Sequence, residues 1–141
     1  MKITCFLILL FLARTIYSQS IIGIWKTIDD KEHVEKSYVE IYESGGKVFG
    51  KVIKLLLKPA DTNCDKCKGE RKDKPVLGMV IMENMIKNND GGYSKGRILD
   101  PESGNDYGCS IWLENGKPDE LRVRGKHWTG LYRTQTWYRV K

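Results

Sequence analysis

Three cysteines lie where their spacing could do chemistry: Cys64 and Cys67 form a C-x-x-C step, and Cys109 stands far downstream. A C-x-x-C pair can serve three ends. As a redox couple it needs a helix N-terminus or a similar device to stabilise one thiolate, and the surrounding run KPADTNCDKCKGERKDK shows no helical pattern. As a zinc site it needs two further ligands, which Cys109 with His33 or His127 supply only if the fold gathers them. As a structural disulfide, closed within the loop or from the loop to Cys109, it needs nothing else. We therefore expect a disulfide drawn from Cys64, Cys67 and Cys109, with no metal site and no cofactor.

The remaining polar residues give no catalytic pattern. His33 lies in the charged run DDKEHVEK, and His127 precedes Trp128 near a turn. Both positions favour solvent over an active site. The carboxylates Asp29, Asp30, Glu40, Glu43, Asp61, Asp65, Glu70 and Asp73 fall at no fixed catalytic spacing. There is no nucleophile–His–acid order and no glycine-rich phosphate loop. The expectation is a protein that is not an enzyme and has no catalytic residues.

The elements that must carry these residues are strands. Short runs rich in Val, Ile, Tyr and Trp are separated by Gly, Pro, Asn and Asp clusters, with almost no helical periodicity, which is the pattern of an all-β barrel or sandwich. Eight strands are expected, at about 21–28, 37–43, 47–57, 76–82, 93–99, 107–114, 120–126 and 131–140. Ser44-Gly45-Gly46, Asn88-Asn89-Asp90-Gly91-Gly92 and Asn115-Gly116-Lys117-Pro118-Asp119 are short turns joining antiparallel neighbours. Alternation sets the faces. Tyr107, Cys109, Ile111 and Leu113 share one side of the sixth strand, and Leu121 and Val123 oppose Arg122 and Arg124 on the seventh. The fourth run, Val76 to Met82, is apolar on both faces and fits less simply.

Length and charge limit the rest. The first twenty residues have the layout of a secretory signal peptide, set at 1–18: Lys2, an apolar stretch from Ile3 to Ala13 that contains Cys5, then small and polar residues including Ser18 and Ser20. Cleavage is expected after 18 or 20, leaving a periplasmic or extracellular chain, 19–141, of one domain with no integral membrane segment. The run stops at Arg14, short of the roughly 20 apolar residues that a spanning helix needs. Losing Lys2 and Arg14 takes the formal charge from +6 to +4. Both signs are mixed along the chain, so nucleic acid is not an expected partner.

The first strand contains Gly23-Ile24-Trp25 and the last ends in Arg139. In an up-and-down barrel of even strand number these two strands are neighbours, so Trp25 can plug one end with Arg139 stacked on its ring. That G-x-W with a C-terminal Arg resembles the pattern of lipocalin and avidin-like barrels. A closer resemblance runs along the chain in GIWKTIDD, SYVEIYE, CDKCKGERKDKP, ILDPESG, LRVRG and RTQTWYRV. These motifs resemble the bacterial family catalogued as domain of unknown function 2147, and the resemblance implies small exported proteins of Gram-negative bacteria with a lipocalin-like fold and no established activity.

The expected architecture is thus an eight-stranded antiparallel up-and-down β-barrel, lipocalin-like, with Trp25 and Arg139 as structural residues. If those two face inward, parity turns Leu131, Arg133, Gln135 and Trp137 inward as well. Arg133 and Gln135 would then lie in a dry core without an evident partner, which is costly unless they orient a ligand or pair internally. The expected ligand site therefore combines Arg133 and Gln135 with an apolar wall of Tyr107, Ile111, Leu113, Leu121 and Val123. It suits a small hydrophobic or anionic amphipathic molecule. The alternative is a structural or protein-interaction module of the cell envelope whose barrel is filled by its own side chains.

Overall fold

The computed structural model describes residues 19–141; the signal segment expected at 1–18 lies outside the described residues. Eight antiparallel strands follow one another: β1 Gly23–Ile28, β2 Glu35–Ser44, β3 Lys47–Leu55, β4 Val80–Lys87, β5 Tyr93–Asp100, β6 Asn105–Glu114, β7 Lys117–Lys126 and β8 Tyr132–Arg139. Each pairs with the next, and β1 closes on β8 through Trp25 opposite Arg139 and Lys26 opposite Tyr138. The result is a closed up-and-down barrel, as the strand pattern implies. Among the described residues no helix is long and apolar enough to cross a membrane.

Period-two alternation sorts the side chains. On β2 and β3 Val39, Ile41, Val48 and Val52 are buried, while Glu40, Tyr42, Lys51 and Lys54 stand on the other face. Outside the barrel, Tyr42 stacks on Phe49 at 5.7 Å, and Lys51 and Lys54 lie over the rings of Tyr42 and Tyr38. Inside, the end formed by the β2–β3, β4–β5 and β6–β7 turns is packed shut. Trp25, Ile41, Met82, Met85, Ile111 and Leu121 are fully buried there. Trp25 donates its Nε1–H to the Ile21 carbonyl at 2.8 Å, and the Arg139 guanidinium covers its ring at 4.3 Å. Arg139 also donates to the carbonyls of Ser20, Ile22 and Pro118 and pairs with Asp119 at 3.3 Å. One cation thus ties the chain entering β1 to β7 and β8.

The fourth strand departs from the expected 76–82. Gly78, at φ +86°, turns the chain, so Val76–Met79 is a tucked segment that exchanges two hydrogen bonds with Val52 of β3. The strand itself begins at Val80 and bulges against β3 at Asn84 (φ 59°), and β5 carries a second left-handed residue, Lys95 (φ 63°), between its Ser94–Ile86 and Arg97–Glu83 pairs. The bulge brings Met82 and Met85, three residues apart, to the same buried side opposite Gly50 and Val48. Strict alternation forbids that spacing, which is why the sequence pattern ends too early. Gly96 makes the bend possible, because a Cβ there would overlap the Met85 sulfur and the Glu83 carbonyl.

Candidate ligand-binding site

All long connections lie at the opposite end. The β1–β2 loop, the 56–79 loop, the β5–β6 turn and the β7–β8 turn surround a mouth, and below it a cavity of about 1020 Å³ enters the barrel. Its wall is apolar, with Val52 and Leu55 from β3, Ile81 from β4, Ile98 from β5, Val123 from β7 and Trp137 from β8. Among the polar groups in this wall are the hydroxyls of Thr27 and Ser37, which bond to each other at 2.8 Å.

A polar chain climbs one side. The indole N–H of buried Trp137 donates to Gln135 Oε1 at 3.4 Å, and Gln135 Nε2 donates to Asp30 Oδ2 at 2.8 Å. The same carboxylate oxygen accepts from Arg133 in an ion pair. Asp30 comes from the β1–β2 loop, which Asp29 stiffens by accepting the backbone N–H groups of Lys31 and Glu32 at 2.9 and 2.8 Å. The Glu32 N–H, with the Lys31 N–H beside it, holds the Asp29 carboxyl below the usual carboxylate range. Across the mouth Lys36 pairs with Glu102 at 3.2 Å.

The 56–79 loop forms the far rim. Cys64 and Cys67 are joined in a disulfide, with both sulfurs buried although the charged residues around them face water. The loop is seated against the β5–β6 turn, where Gly104 (φ +74°) leaves room for the Lys66 carbonyl. Arg71, in a single turn of 3₁₀ helix at Gly69–Arg71, reaches the barrel surface and pairs with Glu83 of β4 and Asp106 of β6. Cys109 stays a free thiol, buried on β6, and burial pushes its pKa up to about 12. Among the described residues no group of three or more His, Cys, Asp or Glu side chains gathers as a metal site. His33 is exposed in the β1–β2 loop, and His127 Nδ1 lies 2.8 Å from the Thr129 hydroxyl.

Of the residues singled out by sequence, Arg133, Gln135, Tyr107 and Val123 line the cavity. Ile111 and Leu121 are instead packed into the closed end, and Leu113 is half-buried against that core. Arg133 lies at the mouth, with its side chain largely exposed, and not in the dry core that an inward parity suggests. Parity running on from Trp25 would have found Thr27. Nothing periodic could have found Asp30, a loop residue whose partners are more than 100 positions away.

A single-domain up-and-down barrel, packed at one end and hollow at the other, belongs to the lipocalin-like class. The structure is similar to that of HP1028 from the human pathogen Helicobacter pylori, described as belonging to the lipocalin family: the TM-score is 0.74 at 19% identity, over 86% of this chain and 84% of that one. At that identity the likeness concerns the fold. Residues 23–139 match the family described as "Uncharacterized protein conserved in bacteria (DUF2147)", and the chain belongs to that family. No curated protein matches it significantly.

Proposed function

We propose that the chain, exported and cleaved after residue 18 or 20, is a non-enzymatic carrier that holds a small hydrophobic or amphipathic molecule inside the barrel. The observation that carries this reading is the cavity: about 1020 Å³, open at one end, with an apolar wall and polar groups concentrated near the mouth. Ligand sites of drug-sized molecules have this size and this division of apolar and polar surface. The same hollow disfavours the alternative of an interaction module with a filled barrel. Arg133 and Gln135 suit an anionic head group, which would take the place that the Asp30 carboxylate occupies between them. Because Arg133 is exposed and already paired, its share of the affinity is modest, about 1 kcal/mol or less.

The test is a titration of a fluorescent fatty-acid analogue into the wild type, Arg133→Ala and Val123→Phe. Saturable binding that Val123→Phe abolishes by filling the cavity, and that Arg133→Ala weakens by roughly fivefold or less, is the expected result. Absence of binding to the wild type, or binding indifferent to Val123→Phe, would overturn the carrier reading. Native mass spectrometry of protein from its own host would show the molecule that occupies the barrel.

A further inference from the structure

The mouth of the barrel carries an apolar tip that the fold leaves in water. The turn from β7 to β8 runs His127-Trp128-Thr129-Gly130-Leu131 and leads into Tyr132. Trp128 is 90% exposed, Leu131 75% and Tyr132 63%, whereas Trp25 and Trp137 are buried. The turn itself is well tied. His127 N–H donates to the Leu131 carbonyl at 2.7 Å, Gly130 N–H returns to the His127 carbonyl at 2.9 Å, and Gly130 takes φ +93°, which favours glycine. The apolar side chains are therefore held out by the fold.

The β7–β8 segment that forms the tip carries charge of one sign, while the acidic Asp30 and Glu102 stand on the neighbouring loops of the mouth. From Leu121 to Lys141 the chain contains Arg122, Arg124, Lys126, Arg133, Arg139 and Lys141, and no acidic residue. Arg122 is matched by Glu114, Arg139 and Lys141 by Asp119 toward the closed end, and Arg133 by Asp30 at the mouth, which leaves Arg124 and Lys126 without an ion-pair partner among the described residues. Near the tip, the Arg124 guanidinium lies 4.3 Å from the Tyr132 ring and 5.0 Å from the Trp112 ring, and exposed Lys126 stands opposite Tyr132 in the ladder. Leu131, Tyr132 and His127 also line the cavity, as does exposed Leu57 on the facing loop.

We propose that this tip docks on an anionic lipid surface, with Trp128, Leu131 and Tyr132 entering the headgroup layer, Lys126 and Arg124 facing the lipid phosphates, and the mouth opening toward the membrane. Trp and Tyr favour the membrane–water boundary, where an apolar ring and a polar edge are both satisfied. Basic residues beside them add attraction to anionic lipid. A second copy of this chain fits less well, because it would bring two positively charged flanks together. Docked in this way, an apolar molecule would pass from the bilayer to the cavity wall without crossing water. The surface is independent of the ligand reading, since lipid binding needs no occupied cavity.

The barrel is complete within residues 19–141, so the experiment uses that chain, free of the apolar stretch at 3–13 that would bind lipid by itself. It is co-sedimented with vesicles of phosphatidylethanolamine and phosphatidylglycerol, and with vesicles of phosphatidylcholine alone. We expect partition onto the anionic vesicles that weakens with added salt, falls roughly tenfold or more in the Trp128→Ser/Leu131→Ser double variant, and falls about fivefold in Lys126→Gln. Both variants should keep the wild-type circular dichroism and melting temperature, because the side chains are exposed. Val123→Phe should block the cavity and leave partition unchanged. Any of three outcomes overturns the proposal: no partition, partition indifferent to the double variant, or a dimer in sedimentation velocity that the double variant abolishes while vesicles are ignored. Retention on a single-stranded oligonucleotide in place of vesicles would overturn it too.

Discussion

Burial gives Cys109 its chemistry. The thiol sits on the inner face of β6 among apolar neighbours, and the cost of desolvating a thiolate raises its pKa from 9.0 to about 12. The unfolded chain thus loses its thiol proton at lower pH than the folded one. Stability from this group is whole below about pH 9 and is lost as pH rises toward 12, by up to about 1.4 kcal/mol per pH unit. Urea unfolding followed from neutral to alkaline pH should show this extra loss in the wild type and not in Cys109→Ala, since other alkaline titrations are common to both. The same burial predicts that chain 19–141 shows no thiol reactive toward a polar disulfide reagent when folded, and one after denaturation. Three thiols in the denatured chain would mean that Cys64 and Cys67 are not joined.

At the scale of elements, the β4–β5 hairpin shows how far a pattern can be bent. The two left-handed residues Asn84 and Lys95 let Met82 and Met85 both enter the core, at the expense of the alternation that marks a strand in sequence. Gly96 is the point of closest approach. Gly96→Ala should therefore destabilise the barrel by about 1–3 kcal/mol, the range for forcing extra volume into a packed site, measured as a lower urea midpoint at an unchanged m-value. A neutral effect would show that the bulge relaxes freely. The 56–79 loop has a different logic: its disulfide spans only three residues of separation, so the bridge shapes the rim locally and constrains little of the unfolded chain.

At the scale of the whole molecule, closure of the barrel depends on a short β1–β8 seam supported by Trp25 and Arg139. Trp25→Ala removes a fully buried aromatic and should cost about 3–5 kcal/mol, a large share of the stability of a domain this size. Arg139→Ala should cost less, because its remaining partners are backbone carbonyls near the surface and Asp119. The two changes should be non-additive by roughly 0.5–3 kcal/mol, as expected of residues in contact. Strict additivity in calorimetry of the four proteins would mean that the guanidinium does not stabilise the ring.

Strand number, antiparallel order and the Trp25–Arg139 pairing could be reached from sequence alone, because alternation and turn residues are local properties and an even-stranded up-and-down barrel brings its first and last strands together. The C-x-x-C step could be narrowed to a disulfide but not to a partner, since Cys109 was equally available in sequence, and only the folded structure, which joins Cys64 to Cys67 and leaves Cys109 buried as a free thiol on β6, separates them. The bulge on β4 was hidden because two left-handed residues, neither of them glycine, break the period without leaving a mark. The division of the inner face was likewise a tertiary matter. Parity tells whether a side chain points inward but not at what height, so Ile111 and Leu121 went to the packed end while Tyr107 and Val123 went to the cavity. Asp30 was the least legible of all, for a loop carboxylate acquires Arg133 and Gln135 as partners only when the chain closes on itself across the mouth.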